Sequence, residues 1–212
     1  MNGIWILLLI LVCSALPAIL VFFWLKSKKS AITLPWFLVS LAVGIVSFLL
    51  AALIHDLFFP DKKGTIWPVL FTIFVRIALV EESSRIVTLF LFLKVCKSPQ
   101  HRESSFGAAL GLVAGLGFAV IESAYHGIAN LSISILRIFT AAPLHGTCGI
   151  RAGTAVFTAR EHPLRALVLF ASTVLIHGTY NLIIVSPAYP SALAALIAYA
   201  ALFSSLNHLS NP

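Results

Sequence analysis

Charge is what this sequence has least of: Lys, Arg, Asp and Glu make up 10% of its 212 residues. A soluble domain carries about a quarter of its residues charged, so the polar surface of a soluble fold is excluded. Hydrophobic residues fill 60% of the chain and its mean hydropathy is +1.03, which leaves the bilayer as its solvent. Cysteine is sparse as well. Cys13, Cys96 and Cys148 sit in or beside apolar runs without framework spacing, and a disulfide scaffold is excluded. The first apolar run, Ile4 to Leu25, has no basic stretch before it and outlasts the apolar part of a cleaved signal, so it reads as a retained helix. There is no internal repeat, no low-complexity tract and no inverted pair of broken helices. The polar stretches between apolar runs are too short to fold alone, and one integral membrane domain over residues 1–212 is expected.

What is present is a series of apolar runs, each long enough for the roughly 20 residues that span hydrocarbon. Breaks in polarity place spans at roughly 4–25, 33–59, 67–95, 105–126, 131–159, 164–185 and 190–208. The expected fold is therefore all-α, a polytopic membrane bundle of about seven transmembrane helices. The formal charge of +7 points to no nucleic-acid partner, because the basic residues gather at span ends, where they set orientation. Lys26, Lys28 and Lys29 follow the first span, Lys94, Lys97 and Arg102 the third, and Arg160 and Arg165 the fifth. The other loops offer Lys62 and Lys63 beside Asp61. The positive-inside rule then puts the N-terminus outside and the C-terminus in the cytoplasm. Small residues crowd the fourth span (Gly107, Gly111, Ala114, Gly115, Gly117), which lets a neighbouring backbone come close.

Ionisable residues inside spans carry the functional information, since each costs about 2.5–3.5 kcal/mol at the bilayer centre. Glu81, Glu82 and Arg85 share one turn of the third span. Facing lipid unpaired they would cost on the order of 8–10 kcal/mol, so they must face protein or water. Arg85, at i+3 from Glu82, is expected to neutralise it and leave Glu81 free to titrate. Phe118 and Glu122 lie at i,i+4 in the fourth span, His145 near mid-span in the fifth after Pro143, and His177 and Asn181 at i,i+4 in the sixth. Counting about 1.5 Å per residue sets Glu81, His145 and His177 near mid-bilayer and Asn181 and Glu122 nearer the outer leaflet. Arg76, Arg137 and Arg151 fall in spans outside these motifs, and snorkelling or a lipid headgroup is expected for them.

The run Glu81-Glu82-Ser83-Ser84-Arg85, then Phe118-x-x-x-Glu122, then His145, then His177-x-x-x-Asn181, on successive spans, resembles the PrsW family of bacterial intramembrane proteases. It is similar also to the wider glutamic membrane-protease group that includes type II CAAX prenyl endopeptidases and bacteriocin-processing enzymes. The likeness covers a peptidase-like core of about residues 66–185. Arg85 stands where PrsW proteins usually carry Lys, and Glu122 where the CAAX enzymes carry His. The resemblance implies proteolysis in a bacterial or archaeal cell membrane, on a membrane-anchored protein or peptide. A glutamate would activate water, and the last His and Asn would hold the oxyanion.

The residues themselves suit that chemistry. A carboxylate removed from water beside a second carboxylate holds a proton more readily than one in solution, which fits Glu81 for general-base work. Glu82 and Glu122 are candidates to share in it, His145 to orient the water or pair with a glutamate, and Asn181 and His177 to donate to the oxyanion. No cofactor and no metal is expected. Zinc is the chemical rival, because Glu81, Glu122, His145 and His177 offer N and O ligands, although no H-E-x-x-H is present. Cys148, at i+3 from His145, reads as packing. Two other function classes stand beside the peptidase: a proton-coupled transporter or channel using the Glu and His cluster, and a catalytically silent scaffold. Oligomeric state is not legible.

Overall fold

The computed structural model describes residues 3–59, 68–96, 103–129 and 131–210. The elements in order are α1 (Gly3–Ser27), α2 (Leu34–Phe58), α3 (Val69–Phe71), a π-helical stretch (Thr72–Leu79), α4 (Val80–Val95), α5 (Ser104–Ala129), α6 (Leu131–Thr158), α7 (Pro163–Val185) and α8 (Ser191–Ser210). Among the described residues there is no strand. Because α3, the π stretch and α4 run on as one rod, the described residues make seven long helical runs, one for each expected span. The fold is an all-α polytopic helix bundle. Lys62, Lys63, Asp61, Lys97 and Arg102, which entered the reading of orientation, lie outside the described residues.

Five helices, α1, α2, α5, α7 and α8, are long and apolar enough to cross a membrane by length and composition. The other two runs are the ones loaded with Glu81, Glu82, Arg85, Arg137, His145 and Arg151. A helix wrapped by other helices does not need an apolar face all round. The turns are built locally. Pro at the first helical positions opens α2 and α7, where its missing N–H is no loss. After α1, Lys29 turns into the left-handed region (φ 55), with Ser30 N bonding Leu25 O at 3.0 Å and Lys29 N bonding Lys26 O at 3.0 Å, the geometry of a left-handed helix cap.

The bundle is organised around α5. Its span is 78% buried, against 22% to 33% for the other four apolar spans. The small residues expected to admit a close neighbour do so: a Cβ added at Gly115 would lie 2.0 Å from the His145 carbonyl oxygen. α6 therefore crosses α5 at backbone contact at the residue before Gly146, which fixes the height of His145 against α5. A second close approach sits at Gly178, where a Cβ would meet the Phe74 ring at 2.3 Å. It lets α7 press against the π stretch and carries His177 to the start of α4. Gly115→Ala is expected to force α6 away from α5, displacing His145, and to destabilise the protein by about 1–3 kcal/mol as overpacking does. Thermal unfolding compared with Ala114→Gly, which removes bulk on the same helix, measures the loss.

The intramembrane arginines correct the expectation of snorkelling. Arg76 Nη2 donates to Phe59 O at 2.7 Å, and its own carbonyl accepts from His55 Nε2, tying the π stretch to α2. Arg151 donates to Ser172 Oγ at 2.7 Å, Ser205 Oγ at 2.9 Å and Ser204 Oγ at 2.9 Å, joining α6 to α7 and α8. Arg137 ion-pairs with Glu122. A guanidinium has five donors in a planar fork, and acceptors on neighbouring helices lie within reach of all three.

Candidate active site

Four elements deliver the polar residues to one place. α4 begins immediately before Glu81 and Glu82, so both carboxylates sit in its first turn as it leaves the π stretch. π-helical turns recur at functional sites because the wider turn changes which side chains share a face. Glu82 is fully buried and ion-paired with Arg85 one turn on. Its second oxygen, Oε1, accepts from His177 Nδ1 at 2.8 Å. Arg85, also fully buried, gives its other arm, Nη2, to His145 Nδ1 at 3.0 Å and lies over the Phe118 ring, 4.8 Å from its centroid. A guanidinium can only donate, so Nδ1 of His145 bears the lone pair and Nε2 the hydrogen. That Nε2–H donates to Glu122 Oε2 at 2.6 Å, and the same oxygen receives Arg137.

The result is a continuous chain, His177–Glu82–Arg85–His145–Glu122–Arg137, in which each charge meets its opposite. Glu81 is the exception. Its Oε2 is buried with no hydrogen-bond partner and stands 3.6 Å from His177 Nε2. The other nitrogen of that ring donates to Glu82, so in the neutral imidazole Nε2 carries a lone pair. Two acceptors thus face each other across 3.6 Å in a largely buried site. A proton, a water molecule or a cation resolves that opposition. With neutral imidazoles, three carboxylates (Glu81, Glu82, Glu122) oppose two guanidinium groups (Arg85, Arg137), leaving the cluster one positive charge short.

Glu81, His145 and His177 each offer a ligand atom, and these atoms lie within 4.8 Å of one another. Two imidazoles and one carboxylate make a donor set found at catalytic zinc. Each ring also has its other nitrogen side tied to a carboxylate, Glu82 for His177 and Glu122 for His145, the arrangement that orients metal-binding histidines. The residues present therefore fit a divalent ion, although His145 Nδ1 would have to exchange its Arg85 contact for the metal.

Of the residues singled out from the sequence, Glu81, Glu82, Arg85, Glu122, His145 and His177 are brought together. Glu122 stands closer than its counted depth implied. Asn181 lies one turn beyond His177, half-buried, and makes no hydrogen bond among the described residues. Phe118 walls the cluster, its ring centroid 4.8 Å from that of His145. Cys148 is fully buried with its thiol toward Thr173 O at 3.9 Å, a packing contact. Arg137, named from the sequence only as an intramembrane arginine outside the motifs, joins the site through Glu122. Its sequence signals are a charge inside a span and a position two turns before His145 on the same helix.

The model of the PrsW family of intramembrane metalloproteases matches residues 33–206. The chain belongs to the PrsW family. It is an integral membrane protein and an intramembrane protease, and the transporter alternative gives way to that assignment. No curated protein and no solved structure matches the chain. Arg85 is built for two tasks, its guanidinium arms reaching Glu82 and His145 at once.

Proposed function

We propose that this PrsW protein hydrolyses a peptide bond of a membrane-anchored protein or peptide, in or beside the bilayer, with Glu81 activating the attacking water. The observation that carries the reading is the buried Glu81 Oε2, unpartnered and 3.6 Å from His177 Nε2, in a cluster where every other carboxylate is paired. Water held between those two acceptors has both of its hydrogens directed at them and its oxygen lone pair free. Glu81 takes one proton as the oxygen attacks the carbonyl carbon, and the carbonyl π pair moves to oxygen. Asn181, after a side-chain rotation, donates to that oxyanion, while His177, its Nδ1–H committed to Glu82, holds the water through Nε2. Collapse of the tetrahedral species breaks the C–N bond, and the proton held by Glu81 passes to the departing amine. Arg85 and Glu82 hold the two histidine rings. The basic residues after α1 and at the start of α7 favour an external N-terminus.

A second reading is favoured by the clustered donor set and by the family's description as metalloproteases. In it Glu81, His145 and His177 hold a divalent ion such as zinc, which when bound supplies a Lewis acid and a more acidic water. The two readings divide on one experiment. If the carboxylate acts alone, the purified protein keeps cleaving after strong chelation, and elemental analysis finds zinc well below one per chain. Stoichiometric zinc, lost on chelation together with activity and restored with it, establishes the metal reading. Substoichiometric zinc in Glu81→Gln, His145→Ala and His177→Ala would assign its ligands.

A further inference from the structure

Arg137 belongs to none of the motifs, yet it closes the chain of contacts that reaches His145. Its Nη2 ion-pairs with Glu122 Oε2, the oxygen that accepts from His145 Nε2 at 2.6 Å. Arg137 and His145 both rise from α6, two turns apart, whereas Glu122 comes from α5. One carboxylate oxygen is thus gripped at two points by one helix. The alternative partner of this carboxylate is His126, on its own helix and 46% exposed, whose Nε2 is 3.9 Å from Oε1. A glutamate has three side-chain torsions, and a single hydrogen bond to His145 does not stop it turning outward to His126 and water.

We propose that Arg137 is a positioning residue: it pins Glu122 Oε2 against His145 Nε2 and thereby fixes the His145 ring with Nδ1 directed at Arg85 and the site. The inference rests on the peptidase reading for its consequence, and on the Arg137–Glu122–His145 geometry alone for its cause. The pin is a cation on one carboxylate oxygen, so Lys can replace Arg. It acts wholly through Glu122, so it is silent when residue 122 is a neutral amide that needs no counter-charge and still accepts from His145.

Two measurements on Arg137→Gln, Arg137→Lys, Glu122→Gln and the Glu122→Gln/Arg137→Gln pair test this. The first needs no turnover: nitrogen-15 spectra of histidine-labelled protein, with the His145 signals identified by their loss in His145→Gln. Wild type and Arg137→Lys should show the His145 Nε2–H signal of a ring bonded to a carboxylate, and Arg137→Gln, with Arg85 still on Nδ1, should move that signal away from this position. The second is cleavage of a single-span substrate. Arg137→Gln should lower kcat about 10–100-fold, the usual effect of losing such a support, with KM unchanged. Arg137→Lys should recover most of the rate, and Arg137→Gln should add no loss to Glu122→Gln. Unaltered His145 signals in Arg137→Gln overturn the proposal, as does a Lys variant as impaired as the Gln variant, or an equal loss with and without Glu122. Should wild type fail to cleave while the Nε2–H signal moves as stated, the peptidase reading falls and the positioning role stands.

Discussion

Arg85→Ala is expected to cost the fold about 3–5 kcal/mol, the loss seen when one member of a buried ion pair is removed, and to abolish cleavage with it. The reasoning starts from burial. Arg85 and Glu82 are both fully enclosed, so alanine leaves a carboxylate in low dielectric with only His177 to answer it. It also removes the donor to His145 Nδ1 and the cation above Phe118, freeing a histidine and an aromatic wall together. Arg85→Lys should be much milder in stability, because an ammonium still neutralises Glu82. It should be less mild in rate, because the arms reaching Glu82 and His145 are two separate nitrogens of one rigid plane. Thermal unfolding beside single-turnover cleavage separates the two. Equal unfolding temperatures for Lys and Ala would show that forked geometry, and not charge, holds the site.

Much of this arrangement was open to a reading of the sequence, because the bilayer imposes simple rules. Apolar runs of a fixed minimum length gave the seven helical runs, and the cost of charge in hydrocarbon marked Glu81, Glu82, Arg85, Glu122, His145 and His177 as residues that must meet. Local spacing even paired Arg85 with Glu82, since i,i+3 neighbours share a helix face. Long-range geometry was not open in the same way. Depth counted from span ends assumes upright helices of known length, and α5 continues to Ala129, which sets Glu122 two turns inside its end. Its meeting with His145 depends on the backbone contact at Gly115, a property of two helices together. Arg137 and Arg151 find partners 15 and more positions away, so no periodicity on their own helix announces them. The π stretch leaves no compositional mark, yet it leads directly into the turn that bears Glu81 and Glu82.

Glu81→Gln is expected to eliminate cleavage with little effect on the fold. The amide keeps the volume of the carboxyl group, and in the structure Glu81 Oε2 has no hydrogen bond to lose, so unfolding temperature should stay near that of wild type. What disappears is the proton acceptor, or in the metal reading an anionic ligand, and either loss stops hydrolysis. Asn181→Ala should retain measurable activity, since one oxyanion donor is typically worth about 10²–10³ in rate. His177→Ala should fall at or below that level, because it removes the acceptor that holds the water and strips Glu82 of its second partner. Combined with Glu81→Gln, neither change should lower the rate further, as residues that act in one step do not add. If Glu82→Gln were dead and well folded while Glu81→Gln cleaved normally, the roles of the paired glutamates would be exchanged.

The central claim, that this bundle is a protease whose chemistry runs through Glu81, is tested most directly by purified protein in liposomes, given a panel of single-span substrates in oxygen-18 water. Mass spectrometry should find a substrate cut at one bond near or within its span. The new carboxyl terminus should carry one heavy oxygen, and Glu81→Gln of unchanged unfolding temperature should yield no product. A cut that persists unchanged in both Glu81→Gln and Glu82→Gln, or no cut in any substrate by wild-type protein of intact fold, would contradict it.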